Sequence, residues 1–174
     1  MNVQTRTLAW IDAFIIGQGI CPFARKERLA EAIQLVTITY QNTELLCKIM
    51  RDHYASLQAS SSITTSIVVI EKGLEDFWDY LNVLESLNID LRKSGFEGIF
   101  QLASFHPNYL FAGVPDNDLS HFSNRSPYPM FHIIDEVLLE HTLQNFAHPE
   151  RIPERNIEHC RALGAAYFAN LLKV

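Results

Sequence analysis

Cysteine is scarce in this sequence of 174 residues, which contains three, at positions 21, 47 and 160. No two of them form a C-x-x-C pair, so the pattern argues against a disulfide scaffold and against a structural zinc knuckle. Such cysteine usage is typical of proteins in a reducing compartment, and we therefore expect a cytoplasmic location.

Long apolar runs and an excess of positive charge are also missing. No stretch approaches the roughly 18 apolar residues that a membrane span needs, and Asp12 interrupts the first apolar stretch, unlike that of a signal peptide. The 14 basic residues are outnumbered by 20 acidic ones, which gives a net charge of -6. Nucleic acids and anionic membranes attract basic surfaces, so we expect neither as a partner.

Three widespread catalytic motifs are absent as well. The sequence contains no Walker loop, no G-x-G-x-x-G and no G-x-S-x-G. Their absence disfavours phosphate-loop nucleotidases, dinucleotide-dependent oxidoreductases and serine hydrolases of the usual kind. No cofactor is indicated by the sequence.

The patterns that are present predict one α/β domain over residues 1–174. Apolar and β-branched side chains favour strands at residues 33–40, 64–70 and 96–105. Amphipathic spacing favours helices before, between and after them, at residues 7–16, 22–32, 74–87, 129–146 and 153–172. A further helix is expected after a cap at Asn42 or Thr43, with a buried stripe from residue 46 to residue 57. Two successive β-α-β steps predict two or three layers around a small, mostly parallel or mixed sheet of three to four strands. A fourth, antiparallel edge strand is expected at 109–112.

Three stretches carry a resemblance to a known family. They are residues 20–24 (ICPFA), 100–107 (FQLASFHP) and 124–132 (NRSPYPMFH). Together they resemble the motifs of a bacterial family, also found in plants, known as domain of unknown function 1415. The resemblance implies membership over most of the chain but no activity, so the chemistry has to come from the residues.

Cys21 is the candidate nucleophile. It directly precedes the predicted helix at residues 22–32, and Arg25 and Lys26 follow one turn later. Unpaired N–H groups and the helix dipole at such a terminus stabilise a thiolate, so we expect a lowered pKa for this thiol. The alternative is a small apolar residue buried at a turn.

Two histidines are candidate acids or bases. His106 follows the third predicted strand, and ligands of parallel α/β sheets collect at the carboxyl ends of strands. His132 and Glu136 lie four residues apart in the predicted helix at 129–146, where a carboxylate could orient the imidazole. With His106, these two residues would also make a set of metal ligands. The alternative for His106 is a ring that anchors loop backbone.

Asn124, Arg125 and Ser126 are candidate substrate-binding residues. They precede the same predicted helix, and a helix N-terminus beside a guanidinium group is suited to carboxylate or phosphate. The alternative is an arginine that ties the long loop of residues 106–128 to a carboxylate.

These candidates together suggest a small enzyme acting on a small anionic substrate near the end of the third strand. Arg125 would hold the anion, His106 and His132 would move protons, and Cys21 would be the nucleophile. Two other functions fit the same residues. One is a non-catalytic ligand-binding or interaction protein, and the other is a metal-dependent hydrolase that uses His106, His132 and Glu136.

Overall fold

A four-stranded mixed sheet forms the centre of the molecule in the computed structural model, which describes residues 2–171. Its strands are β1 (Ile33–Thr39), β2 (Thr65–Lys72), β3 (Phe100–Phe105) and β4 (Met130–Asp135), in the order β1-β2-β4-β3. β1 and β2 pair in parallel, and β4 is antiparallel to β2 on one side and to β3 on the other. The predicted α/β class with a small mixed sheet is confirmed, whereas the mostly parallel form is wrong.

β4 lies inside the sheet, at residues for which the sequence predicts a helix. Met130, Phe131 and Ile133 are buried, because both faces of a central strand are covered. A short, mostly apolar segment fits a buried strand as well as a helix, and here the pairing with β2 and β3 decides between them. The helix itself begins at Glu136, and the edge strand expected at 109–112 is a loop.

The helices cover both faces of this sheet. They are α1 (Val3–Trp10), α2 (Ala24–Leu29), α3 (Thr43–Ala59), α4 (Phe77–Lys93), α5 (Glu136–Leu143), α6 (Ile152–Leu163) and α7 (Ala165–Leu171). The single helix predicted at 153–172 is broken at Gly164, whose φ of 77° does not continue an α-helix. The predicted end of that helix at residue 172 lies outside the described residues.

Two clusters of buried side chains, one on each face of the sheet, give the fold three layers. Successive residues of β2 alternate between them. Val68 and Ile70 pack with α3 and α4, whereas Ile67 and Val69 pack with the N-terminal and C-terminal helices. This alternation is the two-residue period of a strand that is covered on both sides.

Tyr80 on α4 forms hydrogen bonds to both β3 and β4. Its buried hydroxyl donates a hydrogen bond to the Met130 carbonyl oxygen at 2.7 Å and accepts one from the Phe105 N–H at 3.1 Å. One side chain therefore fixes β3 and β4 against the helix that covers them.

Candidate functional site

A cavity of about 260 Å³ lies on the side of the sheet that carries His132. Its walls come from the N-terminal helical segment, the sheet and α5, and side chains such as Trp10, Ile11, Phe105 and Leu138 make most of the wall apolar. No lysine or arginine of residues 2–171 lines the cavity. Apolar walls with a few polar groups are typical of small-molecule sites.

A π-helical segment shapes one wall of the cavity. Residues Ile11–Ile16 continue α1 in π-helical geometry, and Ile11 and Ile15 line the cavity. Short π-helical stretches are frequent at functional sites. The segment ends at Gly17 as predicted. A Cβ atom at this position would come within 2.3 Å of the Ala13 carbonyl oxygen, so the backbone here requires glycine.

Cys21 follows this segment and lines the cavity. Hydrogen bonds from the backbone N–H groups of Phe23 and Ala24 lower the pKa of its thiol, as expected at the start of a helix. Burial raises that pKa by more, however, so the net shift is upward. The expectation of a lowered pKa is therefore wrong, and the thiol is protonated at neutral pH.

His132 lies on β4 and presents one free nitrogen to its surroundings. Its Nε2 lies 2.6 Å from the Thr65 hydroxyl, which donates to the Ile133 carbonyl oxygen at 2.6 Å. Because the hydroxyl has one hydrogen, Nε2 must donate to it. Nδ1 then keeps its lone pair and has no hydrogen-bond partner among residues 2–171. Burial lowers the pKa of this imidazole to about 4, so the ring is neutral at pH 7.

Glu27 is a polar residue of the lining that the sequence analysis does not single out. This side chain on α2 is 9% exposed, and the Thr64 hydroxyl donates a hydrogen bond to its Oε2. Within the described part of the chain, Oε1 makes no hydrogen bond and no basic side chain forms an ion pair with the carboxylate. In the sequence Glu27 stands between Lys26 and Arg28, which resembles an exposed helix face.

His106 does not reach the cavity, although it follows β3 as predicted. The residue is fully buried, its Nε2 donates to the Leu74 carbonyl oxygen at 3.0 Å, and its Nδ1 accepts from the Asn108 N–H at 3.0 Å. Burial lowers the pKa of this ring. Both nitrogens are thus used by backbone, and the geometry fits the alternative of a loop anchor.

His121 repeats this arrangement further along the loop. It is also fully buried, accepts a hydrogen bond from the Phe111 N–H at 3.0 Å and lies 2.9 Å from the Pro115 carbonyl oxygen. Two buried imidazoles therefore anchor the long segment of residues 106–128, that of His106 to the Leu74 carbonyl oxygen outside the segment and that of His121 to backbone within it.

The side chains of the three candidate anion-binding residues lie in different surroundings. Arg125 donates from Nε to the Tyr109 carbonyl oxygen at 3.1 Å, and its guanidinium lies 4.8 Å from the centre of the Phe122 ring. Ser126 is fully buried, whereas Asn124 lines the cavity. No helix begins after Ser126, because the chain enters β4 there, so the expected helix terminus for an anion is not formed.

The metal-ligand set of His106, His132 and Glu136 is not formed either. Glu136 opens α5 and does not share a helix face with His132. Residues 2–171 contain no group of three or more histidine, cysteine, aspartate or glutamate side chains that could hold one metal ion.

Comparison with known protein families gives one match. The model of a family described as protein of unknown function (DUF1415) covers residues 2–170. The chain belongs to this family. Neither the curated proteins nor the solved structures contain a match. No helix among residues 2–171 is long and apolar enough to span a membrane.

The three motifs that carry the resemblance to DUF1415 meet at the cavity. The first contributes Cys21, the second contributes Ala103 and Phe105, and the third contributes Asn124 and His132. Segments that are distant in sequence therefore supply the wall of one site. Of the six candidate catalytic and substrate-binding residues, the structure brings Cys21, Asn124 and His132 together there and leaves His106, Arg125 and Ser126 outside.

Proposed function

We propose that this protein binds a small, mainly apolar organic molecule in the cavity. The observation that carries the proposal is the volume of about 260 Å³ lined by mostly apolar side chains. A smaller apolar cavity of roughly 150 Å³ is enough to bind benzene in another protein. A small anionic substrate is supported less well, since Glu27 and Asp135 line the cavity whereas no lysine or arginine of residues 2–171 does.

Two polar groups would orient such a molecule. The free lone pair on Nδ1 of His132 accepts a hydrogen bond, and the protonated thiol of Cys21 is a weak donor. Polar groups of this kind fix the orientation of a ligand that apolar walls hold by burial.

Thermal melting of the full chain in increasing concentrations of toluene tests the proposal. A molecule that binds the folded state and not the unfolded state raises the melting temperature as its concentration exceeds the dissociation constant, so we expect a concentration-dependent rise. Ala103 lies in the lining opposite His132 in the β3–β4 pairing, so Ala103→Leu should fill the cavity and abolish the rise.

The matched control adds the same side chain to the surface. Ala55 is exposed on α3, and Ala55→Leu should keep the response of the wild-type protein. No rise in the wild-type protein, or an equal rise in Ala103→Leu, would contradict the proposal. Ala24→Leu fills the cavity from another wall and serves if Ala103→Leu does not fold.

An enzyme acting on the same ligand is the second candidate function. It is favoured because Cys21 and His132 line one cavity and the ring is neutral, with a nitrogen free to accept a proton. An activated ester such as p-nitrophenyl acetate would then acetylate Cys21, with release of p-nitrophenolate and transfer of the thiol proton to the imidazole. Mass spectrometry should find the acetyl group on Cys21, and His132→Gln should slow its formation. Equal acetylation of all three cysteines would contradict this function.

A further inference from the structure

We infer that the ligand of this cavity is a small protonated amine whose ammonium group pairs with Glu27. The inference rests on the proposed function, because it names the chemical class of the molecule that the same cavity binds. It reverses the charge expected from the sequence.

The carboxylate of Glu27 has no partner of opposite charge. It is nine-tenths buried, and Oε1 accepts no hydrogen bond from residues 2–171. The adjacent Arg28 does not neutralise it, since its guanidinium forms two hydrogen bonds, of 3.0 and 3.1 Å, with Asp12. Buried glutamates are rare unless paired, because an uncompensated charge in an apolar environment is costly. A cation from outside the chain would provide the partner.

Nδ1 of His132 is a second acceptor in the lining of the same cavity. Thr64 donates to Glu27, and the next residue, Thr65, accepts from Nε2 of His132, which leaves Nδ1 with its lone pair. An ammonium group has three N–H donors and no acceptor. The carboxylate oxygen and the ring nitrogen together therefore match it better than they match a carboxylate or a phosphate.

Aromatic side chains complete the match. Trp10, Phe23 and Phe105 are part of the lining, and the rings of Trp10 and Phe105 meet edge to face with centroids 5.6 Å apart. Such rings bury the apolar body of a ligand, and their faces attract a nearby cation.

A purely structural role for Glu27 would be to fasten α2 to the start of β2 through Thr64. That role needs an acceptor at the end of the side chain but no charge, so glutamine would fulfil it. Glu27→Gln therefore separates the two roles, and Glu85→Gln, at an exposed position of α4, is the matched control.

Titration of the full chain with benzylamine, benzyl alcohol and benzoate tests the inference. The three probes share one ring and differ in the charge of the attached group. We expect wild-type protein and Glu85→Gln to bind benzylamine about 10-fold more tightly than benzyl alcohol, as a charge-assisted hydrogen bond in a buried site provides. In Glu27→Gln this preference should disappear, because benzylamine loses its charged partner and with it more affinity than benzyl alcohol does.

Each other outcome overturns a defined part of the reasoning. If benzylamine and benzyl alcohol bind wild-type protein equally well, or if Glu27→Gln keeps the preference, the inference is wrong and the proposed function stands. Benzoate as the tightest ligand would restore the anionic substrate expected from the sequence. If none of the three probes binds, the proposed function fails together with the inference. Should Glu27→Gln not fold, the order of the three affinities in the wild-type protein decides, since the inference requires the amine to bind most tightly.

Discussion

Lowering the pH from 7 to 5 should destabilise the folded protein by about 2 kcal/mol through His132 alone. Burial beside the cavity lowers the pKa of this imidazole from 6.5 to about 4. Between these two values the unfolded chain binds a proton that the folded chain does not, so the free energy of unfolding decreases as the pH falls. Each pH unit in that window costs about 1.4 kcal/mol. The loss begins near pH 6.5 and levels off below pH 4, at a total of about 3 kcal/mol.

Urea unfolding at pH 7, 6 and 5 measures this loss. Burial also lowers the pKa values of His53 and His106, which contribute in the same direction, so the decisive quantity is the difference between wild-type protein and His132→Gln. Glutamine keeps a donor for Thr65 but does not titrate. From pH 7 to pH 5, the free energy of unfolding of His132→Gln should therefore fall by about 2 kcal/mol less than that of the wild-type protein. The exposed His148→Gln should behave like the wild-type protein. If His132→Gln has the full pH dependence of the wild-type protein, the imidazole is solvated and the reasoning fails.

Two further predictions concern buried polar groups and the expected anion. Tyr80→Phe should lower the free energy of unfolding in urea by about 2 kcal/mol, because it removes the hydroxyl partner of a buried carbonyl oxygen and of a partly buried N–H. Tyr54→Phe should be neutral or stabilising by up to about 1 kcal/mol, since the buried hydroxyl of Tyr54 has no hydrogen-bond partner within residues 2–171. A larger loss of stability in Tyr54→Phe than in Tyr80→Phe would contradict the roles given to both hydroxyl groups. Arg125→Ala should lower the melting temperature, because it removes the hydrogen bond to Tyr109 and the contact with Phe122. Phosphate should leave the melting temperatures of both proteins unchanged, and a rise in wild-type protein that Arg125→Ala abolishes would re-establish an anion site.

The strands that the sequence predicts well are those with a local signal. β1 occupies Ile33–Thr39 against a prediction of 33–40, and β3 ends at Phe105 as expected. β-branched alternation and flanking turn residues are enough to recognise such strands. β4 has no such signal, because its short apolar segment lies just before the apolar residues of α5 and both periodicities fit the sequence. The neighbours that make Met130–Asp135 a strand are distant in the chain.

The candidate site shows the same division between local and distant information. Motif position is enough to select Cys21 and His132, which do line one cavity. The pKa of Cys21 depends on burial by other segments, and the role of His106 depends on the carbonyl oxygen of Leu74. Glu27 stands between two basic residues and has the sequence signature of a solvated helix face, so its burial becomes visible only with its contact to Thr64, which is distant in the chain.

The position of β4 also determines the order in which the sheet can assemble. Thr65 pairs with Ile134 and Val69 with Met130, so β4, which is synthesised after β1, β2 and β3, fills the gap between β2 and β3. Until it arrives, a nascent chain carries β2 with one edge unpaired, and β3 has no strand beside it. Contacts so distant in sequence slow folding, and open strand edges pair readily with other chains. A ribosome-bound chain of this protein therefore passes through a stage at which the open edge of β2 can pair with other nascent chains and needs protection from them.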